Sequence, residues 1–88
     1  MNFSIVISST NYNGQVANIT FYPVTGGSIN IGTHTIPYTY ITDFYYGEYN
    51  IHFSNYNKTC KFIIEEPKQF QDNIYFDFMD GEKYDFQN

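Results

Sequence analysis

The chain has 88 residues, of which 42% are hydrophobic and 22% aromatic, with ten Tyr, nine Phe and a formal net charge of −5. A chain of this length forms one domain, or one domain with a short appendage, and buries about 60–65% of its unfolded surface, leaving little volume for a deep catalytic pocket. It is too apolar for a disordered chain, and four lysines without any arginine do not make the cationic footprint that nucleic acid requires.

Leu is absent and Ala17 is the only alanine. Both types favour helix, and the Ile, Tyr, Phe and Thr that replace them favour strands, so composition alone predicts an all-β fold. Phe3, Ile5 and Ile7 alternate with Ser4, Val6 and Ser8, a first strand with one apolar face. Asn11–Gly14 reads as a turn carrying the Asn-Gly hairpin signal. Ala17, Ile19 and Phe21 then alternate with Asn18, Thr20 and Tyr22 in a second strand, which Pro23 closes or places at an edge. Gly26 and Gly27 open a loop, and Ile29 and Ile31 mark a short third strand ending at Gly32.

Tyr38–Thr42 is a fourth strand, after Pro37, and the turn that follows is rich in aromatic residues: Phe44, Tyr45 and Tyr46. Tyr49, Ile51 and Phe53 alternate with Asn50, His52 and Ser54 in the fifth strand, and Cys60, Phe62 and Ile64 define the sixth, which Pro67 ends. Ile74, Phe76 and Phe78, an Asp80-Gly81 turn, and Tyr84 and Phe86 read as a C-terminal hairpin with one apolar face. Such a hairpin is marginal alone and must dock on something.

Turn signals recurring about every 8–12 residues, without a helical period, predict a sandwich or small barrel. The expected core is Phe3, Ile5, Ile7, Ala17, Ile19, Phe21, Ile31, Tyr49, Ile51, Phe53, Cys60, Phe62 and Ile64. Charge divides the chain: Asp43 and Glu48 balance Lys58 and Lys61 up to Ile64, and beyond it seven acids against two lysines carry the whole −5. The organisation predicted is a β-sandwich domain over residues 1–66 and an acidic C-terminal hairpin or arm over 67–88.

Three stretches carry a resemblance. They are the turn and strand from Gly14 to Pro23, the run Thr42–Phe53 with Gly47 two residues before Tyr49, and the strand Lys58–Ile64. Together they resemble the end of prealbumin-like (transthyretin-like, carboxypeptidase regulatory-like) sandwiches. The resemblance implies a small Ig-like or prealbumin-like β-sandwich in which the Gly permits a tight turn, and the Tyr two residues later enters the core and needs a partner for its hydroxyl. Small modules of this kind occur in phage virions as capsid decorations, fibre adaptors and tail components. The expected partners are therefore other virion proteins or identical subunits.

The catalytic and metal-binding residue types give no constellation. A single cysteine, Cys60, excludes an internal disulfide and a thiolate metal site built from one chain, and its strand face points it into the core. His52 lies on the polar face of the fifth strand and His34 in the loop before Pro37, at no ligand spacing. Asp77, Asp80, Glu82 and Asp85 do not follow the calcium-loop pattern and read as a solvated acidic face. The expectation is a non-enzymatic module without cofactor, metal or nucleic acid. The apolar run Phe3–Ile7 is too short for a signal peptide and nothing approaches a membrane span, so the expected location is a virion or the cytoplasm of an infected bacterial cell.

The aromatic surplus is the most informative feature, because nineteen Tyr and Phe exceed what one small core buries. Tyr38, Tyr40, Phe44, Tyr45, Tyr46 and Tyr56 cluster in turns and short strands around Tyr49 and are candidates for a protein–protein interface. Phe76, Phe78, Tyr84 and Phe86 extend the candidate surface onto the C-terminal hairpin, which is expected to add its edge to a partner chain. Two alternatives stand beside this reading. The tyrosines could stack on sugar rings, as in a carbohydrate-binding module, or the acidic tail could mimic nucleic-acid phosphates, as in an inhibitor of a host nucleic-acid enzyme.

Overall fold

Alternation of apolar and polar residues becomes alternation of buried and exposed ones in the computed structural model, which describes residues 3–9, 12–64, 73–77 and 83–87. The strands are β1 (Phe3–Ser8), β2 (Val16–Pro23), β3 (Ile29–Thr35), β4 (Tyr38–Thr42), β5 (Gly47–Phe53), β6 (Lys58–Ile64), β7 (Asn73–Asp77) and β8 (Lys83–Gln87). A 3-10 turn, Ser54–Tyr56, sits between β5 and β6, and Asn57 closes it in the left-handed conformation that asparagine tolerates.

The strands form two four-stranded sheets, ordered β4-β1-β7-β8 and β3-β2-β5-β6. Among the described residues the pairings are antiparallel except β1 with β7, which run parallel from Ser4 opposite Asn73 to Ser8 opposite Asp77. The protein is thus all-β with two sheets. Ile5 and Ile7 from the first sheet and Ala17, Ile19, Phe21, Ile51, Phe53, Cys60, Phe62 and Ile64 from the second meet in one buried cluster. Every second residue of β2, β5 and β6 points into it.

Four expectations change. The Asn-Gly turn is present, with Gly14 at φ +93°, but it does not make a hairpin. Its N–H donates to the Ile36 carbonyl at 2.8 Å, and β1 and β2 go to different sheets. Gly32 does not end the third strand. It sits at φ +87° beside a register shift, so β3 continues through a bulge to Thr35. That bulge leaves Ile31 only partly buried, while Ile36, absent from the expected core, is fully buried where the chain crosses between sheets. The C-terminal hairpin was expected to add to another chain; its backbone instead pairs with β1 of the same chain through β7. The linker Glu65–Gln71, the Asp80-Gly81 turn and Phe78 lie outside the described residues, as do the side chains of Phe3, Phe76, Tyr84 and Phe86.

Candidate interaction surface

The loop from β4 to β5 carries the chain from one sheet to the other and holds three consecutive aromatic residues. Two hydrogen bonds fix it. Thr42, buried, accepts the Phe44 N–H on its Oγ1 at 3.2 Å, and the Tyr49 hydroxyl donates to the Tyr45 carbonyl at 2.7 Å. Gly47, at φ +146°, makes the turn that lets β5 begin, and Tyr49 enters the core two residues later. Burial pushes the Tyr49 hydroxyl above its usual pKa, so it remains a donor through the physiological range.

Tyr49 is also the middle of a stack. Phe44 lies on one side at 5.1 Å between ring centroids and 10° between planes, and Phe62 on the other at 5.4 Å and 16°. Phe21 meets Phe44 and Phe62 edge-on and stacks against Tyr40. Offset and edge-on geometries are the favourable ones for ring quadrupoles. Tyr40 and Phe44 are therefore the rim of the core and not a free surface.

The other candidates separate in the same way. Tyr38 stacks on His34 at 3.8 Å and 9° and packs against the core. Tyr56 donates to the Val16 carbonyl at 2.7 Å, lies 4.9 Å from the Tyr12 ring, and ties the 3-10 turn to β2. Tyr45 and Tyr46 remain outward. They are 71% and 42% exposed, with ring centroids 4.3 Å apart, and the Tyr45 hydroxyl donates to that of Tyr46 at 3.5 Å. Ile41, four residues before Tyr45, is 66% exposed. Sequence reasoning did not single out Ile41, although its parity opposite Tyr38, Tyr40 and Thr42 places it on the outer side.

The remaining polar candidates have structural partners. His52 Nδ1 is 2.7 Å from Thr59 Oγ1, the residue opposite it across the β5–β6 ladder. His34 Nε2 is 2.6 Å from the Ile31 carbonyl at the β3 bulge. Cys60 is buried, opposite Ile51. No three of the described His, Cys, Asp and Glu residues come together. Asn18, Thr20, Asn30, Thr33 and Ser54 form a hydrogen-bonded network among themselves. No helix among the described residues is long and apolar enough to cross a membrane. No family model, no curated protein and no solved structure matches the chain.

Proposed function

We propose that this protein is a non-enzymatic binding module that fastens onto a larger protein assembly through Tyr45 and Tyr46. The observation that carries the reading is a pair of outward tyrosines whose backbone is tied to the core by the Tyr49 hydroxyl. Binding loses less when the contacting groups are already ordered, and Tyr offers a large, rigid, amphipathic contact. The sandwich is of the prealbumin-like kind. This is favoured by the Gly47–Tyr49 corner, with the glycine at positive φ and the Tyr49 ring buried with its hydroxyl bonded to the Tyr45 carbonyl. With the composition and that likeness, the assembly proposed is a phage virion, as a capsid decoration, fibre adaptor or tail component.

Quantifying the chain in purified virions tests this. Stoichiometric copy number, lost in a Tyr45→Ala/Tyr46→Ala variant, is the expected result. A chain confined to infected-cell lysate with a host nuclease attached would establish the inhibitor instead. Glycan-array hits abolished by the same two substitutions would establish a carbohydrate-binding module.

A further inference from the structure

A two-sheet fold has four edge strands, here β3, β4, β6 and β8. Unpaired edges recruit other strands, and proteins block them with bulges, prolines and charged side chains, lysine above all. Three of the four edges carry such a block. On β3 the bulge at Ile31 is consumed internally, since its carbonyl lies 2.6 Å from His34 Nε2 and the Gly32 N–H donates to Asn30 Oδ1 at 3.0 Å. Strand β6 carries Lys58 and Lys61, and β8 carries Lys83 and Asp85.

Strand β4 has none of these. Its sequence, Tyr38-Thr39-Tyr40-Ile41-Thr42, holds no charge, no proline and no glycine, and its ladder with β1 runs five residues without a register shift. Among the described residues no strand covers its outer edge. Its outward residues, Thr39 and Ile41, are exposed.

We infer that β4 is a docking edge for a second copy of this chain, paired antiparallel about a twofold axis at Tyr40. The strand is self-complementary in that register. Tyr40 meets Tyr40 of the second copy, Tyr38 meets Thr42, and Thr39 meets Ile41, so the faces toward and away from the core match and the two four-stranded sheets join into one. Charge selects both the partner and the direction. Residues up to Ile64 carry no net charge, so two copies meet here without the repulsion that the acidic C-terminal part would impose at β8. Asp43 is the charge nearest the strand. In-register parallel pairing would set two copies of it about 5 Å apart, whereas the antiparallel register separates them by about 20 Å, beyond the Debye length.

The test is sedimentation of the full chain over a wide concentration range. The wild type is expected to form dimers. Thr39→Lys with Ile41→Lys places like charges directly opposite each other twice and should weaken dimerisation roughly tenfold or more, with the monomer's melting temperature kept. Thr39→Glu with Ile41→Lys places opposite charges in those positions and should restore the dimer. That rescue depends on the register and not on general surface change. A wild type that is monomeric throughout overturns the inference and leaves the edge to a strand of a different protein. A dimer equally insensitive to both variants also overturns it.

Discussion

The Tyr49 hydroxyl and the Tyr45 carbonyl oxygen, 2.7 Å apart, join the buried half of the β4–β5 corner to its exposed half. Replacing Tyr49 by Phe keeps the stack between Phe44 and Phe62 and removes this bond. The expected loss is about 0.5–1.5 kcal/mol in denaturant unfolding, more if the carbonyl is left dry. Amide exchange over the corner should accelerate while β5 and β6 remain protected.

The same residue sets a pH dependence. Its pKa is raised in the folded state by desolvation, so above the unfolded value of about 10 the unfolded chain loses this proton first. The contribution is intact below that pH and is lost as pH rises through the folded value. The unfolding midpoint of the wild type should fall more steeply above about pH 10 than that of Tyr49→Phe. Parallel curves would remove Tyr49 as the source.

Gly47 is the hinge of the corner. At φ +146°, with nothing within 4 Å of a Cβ built there, the cost of Gly47→Ala is conformational and not steric. We expect a loss of about 1–3 kcal/mol. Gly27 also has open space and no such φ, so Gly27→Ala should change stability by less than about 1 kcal/mol.

Core and surface should part cleanly in thermal unfolding. Phe53→Ala removes a fully buried ring and should cost about 3–5 kcal/mol, whereas Ile41→Ala, at 66% exposure, should stay within about 0.5 kcal/mol.

Most strands were legible because a half-buried strand repeats every two residues, and β1, β2, β5 and β6 keep that period without a break. Topology was less so. Asn13-Gly14 carries a hairpin signal, but a tight turn also serves a crossing between sheets, and the parallel β1–β7 pair joins segments too distant for local pattern to reveal. Ile36 escaped because it is a single apolar residue beside Pro37, outside any alternation. Among the tyrosines, sequence gave number but not direction. Tyr38 and Tyr40 share the inward parity of Thr42, Tyr56 is turned back onto β2 by its hydroxyl, and the consecutive pair Tyr45 and Tyr46 has no strand parity to direct it inward.

The C-terminal strands complete the first sheet, so removing residues 68–88 should strip β1 of its β7 partner. We expect a loss of about 2 kcal/mol or more, lowering the melting temperature by roughly 8–16 °C. A truncated chain with unchanged melting would make residues 67–88 a separable arm.

The central claim is that Tyr45 and Tyr46 are a contact surface on a finished fold. Its most direct test is incorporation of Tyr45→Ala/Tyr46→Ala into virions in competition with the wild type, at a temperature where both chains are folded. Incorporation of the folded variant is expected to fall at least about tenfold, the effect of losing about 1.4 kcal/mol or more of contact energy. Incorporation of the folded variant at the wild-type level would contradict it.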